Sequence, residues 1–225
     1  MSLDNPVAEA ARCRTSPFAR LARQGRPGKR LDQTGRALNP LDPLAPWRRR
    51  DPDAAKLYGA IVAQARLPVF YQSLKVPDTL EGRFLMLSVH LFAVLHRLKR
   101  EGSAAHGLAQ SLTDSFSTDM ETVLREIGVG DLSIPKKMRG LAASTAALLQ
   151  VYEDALAAGE DAIAVTLGEA LPHDQRPSEA ASRRLAHYLI ELVRQVDAQS
   201  VAALGAGDVR FPGPIPGVEL GDDFR

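Results

Sequence analysis

The strongest constraint on the fold is a run of twelve residues, Phe84 to Leu95, that is apolar nearly all round when it is wound as a helix. A helix without a polar face has to be buried on every side. Twelve residues are too few to cross a bilayer, which takes about 20. The run therefore predicts the buried central helix of a bundle.

The surrounding sequence predicts helices as well. Aromatic residues make up only 5% of the chain and Ala and Leu are abundant, which favours packed helices over a β-sandwich. Apolar residues recur at spacings of three and four, and Pro or Gly marks the helix ends, as at Pro135, Gly102 and Gly159. We expect an all-α fold, a single compact bundle of about six helices at about 51–71, 80–100, 104–127, 135–158, 161–171 and 178–204. Pro68 predicts an end or a kink in the first helix.

The charge is distributed unevenly along the chain. From Arg12 to Arg50 there are eleven basic and two acidic residues, whereas from Asp51 onward there are 17 basic and 23 acidic residues. The first stretch is rich in proline and has no apolar period. We expect a disordered basic arm over 1–50, an all-helical domain over 51–205 and an extended C-terminal tail over 206–225 that takes no part in the core.

The basic arm has two possible roles beside that of an expendable extension. It could contact an anionic phospholipid surface or RNA, for example on a ribosome. Its prolines disfavour the long amphipathic helix of a mitochondrial presequence. A lone cysteine, Cys13, excludes an intramolecular disulfide, and no apolar run indicates a signal peptide or a membrane span. We expect a protein that is neither secreted nor integral to the membrane.

The sequence offers little catalytic chemistry. His90 and His96 share one predicted helix, but a spacing of six residues turns them about 240° apart, so they cannot chelate one metal ion. No known metal, phosphate-loop or nucleophile motif occurs. His90 is expected to be a neutral core histidine that donates to a backbone carbonyl. We expect no enzyme activity, no cofactor and no metal.

The clearest candidate binding region lies at the junction of the third and fourth predicted helices. Asp119 borders an apolar stripe and, if partly buried, needs an Arg or Lys partner, for which Arg83, Arg97 and Arg139 are candidates. A basic cluster opens the next helix, where the helix dipole disfavours cations. The connection brings these groups together, and we predict a client-binding site of Phe116, Asp119, Met120, Lys136, Lys137, Met138 and Arg139. Phe116 could be either buried in the core or an exposed anchor.

Several sequence blocks carry a resemblance. They are Phe84-x5-His90, His96-Arg-Leu-Lys-Arg-Glu-Gly102, Leu108-Ala-Gln-Ser-Leu-Thr-Asp114, Phe116-x2-Asp119-Met120, Glu126-Ile-Gly-Val-Gly-Asp-Leu-Ser-Ile-Pro-Lys-Lys-Met138 and Tyr152-Glu-Asp-Ala-Leu156. In order and spacing they resemble the ubiquinol-cytochrome c chaperone family. That resemblance implies a non-enzymatic assembly factor of the cytochrome bc complex, which in mitochondria works at the ribosome with a small partner and holds newly made cytochrome b.

The resemblance and the composition together give the expected setting. Arginine outnumbers lysine, which suits a bacterium with a G+C-rich genome, so we expect a cytoplasmic protein peripheral to the inner membrane. A mitochondrial matrix or inner-membrane location is the alternative. Expected partners are cytochrome b or another subunit of the complex, and phospholipid or the ribosome through the arm, but not DNA. The alternatives in function are a helical lipid- or ligand-binding module unrelated to respiration, and an enzyme with an unrecognised His/Asp site.

Overall fold

The computed structural model describes residues 52–212, and this part of the chain is helical without a β-strand. The expectations for the arm (1–50) and for the tail beyond 212 lie outside the described residues. Six longer helices and two short ones follow one another. They are α1 (Pro52–Ala65), α2 (Pro68–Gln72), α3 (Leu80–Glu101), α4 (His106–Glu126), α5 (Ile134–Ala158), α6 (Glu160–Glu169), α7 (Glu179–Asp197) and α8 (Val201–Gly205).

Local sequence signals set most of these boundaries. The side chain of Thr79 caps α3 by accepting a hydrogen bond from the Gly82 amide, and Ser178 caps α7 in the same way. α3 and α5 end at Gly102 and Gly159, whose φ angles of 75° and 106° favour glycine. The predicted all-α bundle is confirmed, and so is the interruption before Pro68, since α1 ends at Ala65 and α2 begins at Pro68.

The last predicted helix is wrong in its extent. We expected it to run to Leu204, but α7 ends at Asp197 and α8 begins afresh at Val201. The cause is Ser200, whose hydroxyl accepts a hydrogen bond from the Ala203 amide and so starts a new helix. Similarly, a 3-10 turn over Gly102–Ala105 delays the start of α4 to His106.

The central position of α3 is the main feature of the packing. Thirteen of its 22 residues are buried, and it packs against α1, α4, α5 and α7. The run that is apolar all round is therefore surrounded by other helices, as the sequence predicts. None of the described helices combines the length and the apolar character needed to cross a bilayer.

The described part of the C-terminal tail does join the core. Residues 208–212 have no regular secondary structure, and the Phe211 ring lies 5.5 Å from the ring of His90. Gln199 holds this segment by accepting from the Arg210 amide (2.8 Å) and donating to the Arg210 carbonyl (2.7 Å). The expectation that Phe211 lies outside the core is wrong, because the backbone hydrogen bonds from Gln199 direct its ring onto α3.

Candidate binding surface

Asp119 is bound by a tyrosine, not by an arginine. The Tyr58 hydroxyl on α1 donates a hydrogen bond of 2.7 Å to Asp119 Oδ2 on α4. Burial, and then this hydrogen bond, raise the pKa of Tyr58 well above its usual value. The expected pairing with Arg83, Arg97 or Arg139 is wrong in this respect. Asp119 therefore joins two helices of the bundle.

Two other predicted site residues lie in the core. Phe116 is only 4% exposed, and its ring centroid is 6.5 Å from that of Phe84 on α3. Met120, one turn further along α4, is buried in the same cluster. Of the two possibilities for Phe116, the structure has the buried one. Neither side chain is available to a partner without a change in the packing.

The basic cluster at the start of α5 is divided by the helix. Met138 is half-buried and packs on the core, and Lys137 is half-buried and engaged in interactions of its own. Lys136 and Arg139 are exposed. The structure thus does not bring the seven predicted residues to one surface. Within the basic cluster, only Lys136 and Arg139 are exposed.

The sequence analysis missed two exposed apolar residues beside these cations. Leu132 is 100% exposed, and Ile127, the last residue of the predicted third helix, is 55% exposed. Ile127 lies outside the helix because α4 ends at Glu126. Apolar residues in a glycine-flanked connection, Ile127-Gly-Val-Gly-Asp-Leu132, were the signal that could have identified them. We call residues 127–139 the hairpin tip.

α4 continues past the start of α3. Phe116 packs beside Phe84, which lies four residues from the start of α3, whereas α4 continues for ten residues beyond Phe116. At 1.5 Å per residue, α4 therefore extends roughly 9 Å past the first residue of α3. The connection to α5 lies at the end of this extension, which explains the full exposure of Leu132.

The charges at the hairpin tip are only partly balanced within the chain. Arg125 makes ion pairs with Glu121 (2.8 Å) and with Asp131. Asp131 lies next to Leu132 in the sequence. Its negative charge is balanced by the ion pair with Arg125. Lys136 and Arg139 have no ion pair among the described residues, and Glu126 is the remaining exposed acid. The part of the hairpin tip at the start of α5, with Lys136 and Arg139, is therefore positively charged.

His90 is at the centre of a buried hydrogen-bond chain. Nε2 lies 2.7 Å from the Tyr188 hydroxyl and Nδ1 lies 2.7 Å from the Met86 carbonyl oxygen, while Gln64 donates to the Tyr188 hydroxyl at 3.3 Å. One tautomer satisfies every group: Nδ1–H donates to Met86, and Nε2 accepts from Tyr188. Burial lowers the pKa of His90 to about 4, against the smaller opposing effect of the Met86 hydrogen bond. The expected neutral core histidine is confirmed.

The other charged groups inside the bundle also have structural partners. His96 Nδ1 lies 3.0 Å from Glu153 Oε2, and Lys99 lies 3.2 Å from the other oxygen of that carboxylate, which links α3 to α5. Within residues 52–212 no three His, Cys, Asp or Glu side chains are grouped so that they could hold a metal ion.

A shallow pocket lies between α2 and the start of α3. It has a volume of about 450 Å³ and is lined by Arg66, Pro68, Tyr71, Gln72, Asp78 and Arg83. Asp78 and Arg83 form an ion pair of 2.6 Å across it. This pair cancels much of the charge that would attract an ionic ligand, so the pocket is a weaker candidate than the hairpin tip.

Comparison with known proteins gives consistent results. Residues 72–211 match the model of the ubiquinol-cytochrome C chaperone family. The chain is 23% identical to ubiquinol-cytochrome-c reductase complex assembly factor 1 of Xenopus laevis, over 64% of this chain and 72% of the relative. It is 21% identical to the assembly factor of that name in Mus musculus, over 70% of this chain but only 54% of the mouse protein.

A solved structure agrees with these sequence matches. The crystal structure of the Cbp3 homologue from Brucella abortus superposes with a TM-score of 0.66 and 34% identity, covering 73% of this chain and 91% of that one. The matched family region begins in α2 and ends at Phe211. It therefore includes the hairpin tip and the C-terminal segment that covers His90.

Proposed function

Because the chain belongs to the ubiquinol-cytochrome c chaperone family, we propose that it is a non-enzymatic assembly chaperone that binds newly made cytochrome b or an associated component of the cytochrome bc complex. The observation that carries this proposal is the extent of the match. The family model covers residues 72–211, which is almost the whole of the described bundle, and a homologous structure superposes on it.

The interior of the bundle supports a binding role. Both ring nitrogens of His90 are engaged by Met86 and Tyr188, and the adjoining Phe70 and Phe211 rings pack edge-on against the imidazole. A histidine enclosed in this way has no free nitrogen to offer a substrate. Asp119, the other candidate for an acid/base pair, is held by Tyr58. His90 and Asp119 thus hold the bundle together. We therefore place the binding function on the surface of the bundle.

The exposed part of the predicted site is the part that can meet a partner. Lys136 and Arg139 stand beside Ile127 and Leu132 on the hairpin tip, whereas Phe116 and Met120 are inside. We propose that this tip faces the membrane in which the complex is assembled. A location peripheral to the inner membrane belongs to the same proposal.

Gene deletion tests the proposed function. Loss of the assembled cytochrome bc complex, with other respiratory complexes unchanged, is expected, and a plasmid copy of the gene should restore it. A tagged copy should also co-purify pulse-labelled cytochrome b from detergent extracts. An unchanged level of assembled complex in the deletion strain would contradict the proposal.

The second candidate is a helical lipid-binding module unrelated to respiration, which the exposed apolar side chains of the hairpin tip favour. The same strain separates the two functions. Lipid that co-purifies with the protein, together with normal levels of the cytochrome bc complex after deletion, would support this second function.

A further inference from the structure

We propose that the hairpin tip is a membrane-docking element: Leu132 and Ile127 insert among the lipids of an anionic phospholipid bilayer while Lys136 and Arg139 contact the headgroup phosphates. Residues 127–139 comprise the connection between α4 and α5 and the first turns of α5. The chain itself therefore keeps the apolar and basic groups near one another. The inference adds a membrane contact to the proposed function. It rests on that function only in the assumption that the bundle meets its client at the membrane.

The exposure of the apolar side chains is the first observation. Leu132 is entirely exposed and Ile127 is more than half exposed, although each could bury its apolar surface if a partner covered it. Both sit at the end of α4 where it runs past the start of α3. Side chains exposed in this way can enter a bilayer surface without any change in the packing of the bundle.

The charge of the hairpin tip favours an anionic bilayer as its binding partner. The acids Glu121 and Asp131 are paired with Arg125, whereas Lys136 and Arg139 have no ion pair among the described residues. Cations beside exposed apolar side chains match the order of groups in a bilayer, with phosphates outside and acyl chains inside. Pro135, also exposed, separates the apolar part of the tip from the basic part.

The shape of the tip favours a bilayer over a protein partner. A stable protein interface buries about 800 Å² on each partner around a continuous apolar centre. The hairpin tip offers only two large exposed apolar side chains, on one short connection. A fluid surface needs no shape complementarity, so two inserted side chains and two cations are sufficient for reversible docking.

Vesicle binding by the full-length chain tests the inference. The probe is a vesicle of phosphatidylcholine with roughly one third phosphatidylglycerol at about 0.1 M salt, where charge attraction still reaches about 10 Å. We expect I127S/L132S and K136E/R139E each to lower the partition constant at least about tenfold, which corresponds to 1.4 kcal/mol. Pure phosphatidylcholine vesicles should bind the wild type more weakly.

Matched controls exclude general effects of charge and of apolar exposure. R184E/R210E reverses two exposed cations far along the chain from the tip, with the same change in net charge as K136E/R139E. Val165→Ser removes an apolar side chain on α6 that is 57% exposed. Both controls should stay within about twofold of the wild type. At about 0.5 M salt, where electrostatic attraction is screened, only the I127S/L132S effect should persist.

A site-specific readout separates the tip from the basic arm. A polarity-sensitive fluorophore attached through L132C in a C13S background should shift to shorter wavelength on adding vesicles and be quenched by brominated acyl chains. The same label attached through V165C should not respond. Circular dichroism verifies that each variant keeps its helices.

The outcomes also distinguish this inference from the proposed function. Loss of vesicle binding with retained co-purification of cytochrome b in detergent supports membrane docking by the tip. Unchanged vesicle binding and an unresponsive label at position 132 overturn it, whatever the gene deletion shows. Unchanged vesicle binding with loss of cytochrome b would show that the tip contacts a protein and would also overturn it.

Discussion

The central helix α3 and the α4–α5 hairpin use apolar residues in opposite ways. In α3 the apolar residues surround the helix and neighbours cover every side. In α4 they form one stripe, in which Leu112, Phe116, Met120 and Leu124 are buried. At the hairpin tip, Ile127 and Leu132 are left in solvent. The comparison indicates that the stability of this protein resides around α3, while the tip is free to serve a partner.

Polar groups show the same contrast. The buried groups near α3, such as His90 and Ser88, have hydrogen-bond partners at 2.7 to 3.0 Å. Lys136 and Arg139 at the tip have none among the residues of the described bundle. The groups around His90 are paired because an unpaired buried polar group is costly, whereas exposed cations are solvated by water.

Phe116→Ala should give the largest effect on stability. The ring is buried against Phe84, so its removal leaves a cavity and should lower the free energy of unfolding by about 3 to 5 kcal/mol. Urea denaturation measures the change. A loss below about 1 kcal/mol would mean that the inner face of α4 is not packed like α3.

Acid should weaken the region around His90. Its pKa is about 4 in the folded chain and about 6.5 when unfolded, so between these values only the unfolded state binds the proton. The free energy of unfolding should therefore fall as the pH falls from 6.5 to 4, by about 3 kcal/mol in all. Denaturation at several pH values measures this slope.

His90→Gln is the control for the acid effect, because the glutamine amide can form hydrogen bonds but does not titrate. Its free energy of unfolding should be lower than that of the wild type at pH 7 but should fall less steeply toward pH 4. Equal slopes for the two proteins would assign the acid sensitivity to carboxylates and not to His90.

Two glycines in the first turns of neighbouring helices give the next comparison. A Cβ on Gly82 of α3 would lie 1.9 Å from the Pro77 carbonyl oxygen, whereas a Cβ on Gly107 of α4 would meet nothing within 4 Å. Gly82→Ala should therefore cost about 1 to 3 kcal/mol, and Gly107→Ala should stabilise by up to about 1 kcal/mol. Thermal melts of both variants measure the difference, and equal effects would contradict the tight packing at the start of α3.

Substitutions at the hairpin tip should have the smallest effect on stability. Leu132→Ser and K136E/R139E change side chains that are exposed, so the free energy of unfolding should change by less than about 0.5 kcal/mol. Urea denaturation of the variants used for vesicle binding measures this. A larger loss would show that the tip supports the bundle, and would blur the distinction between the two regions.

The sequence alone predicted the elements whose signals are local. The apolar run from Phe84 to Leu95, the interruption at Pro68 and the helix ends at Gly102 and Gly159 each depend on a few neighbouring residues, so they can be recognised without the fold. The neutral, buried state of His90 followed from its apolar neighbours in the same helix. The family resemblance rested on the same local blocks and was confirmed.

Only the tertiary structure decided which groups meet across the bundle. Tyr58 and Asp119 are 61 residues apart, and His90 and Tyr188 are 98 apart, so no periodicity could pair them. The Phe211 ring packs on the core because Gln199, twelve residues earlier, holds the backbone of Arg210 beside it. Leu132 is exposed because it lies in the connection after α4, which continues past the start of α3. The relative lengths and offsets of packed helices exist only in the folded molecule, and they determined which part of the predicted site reached the surface.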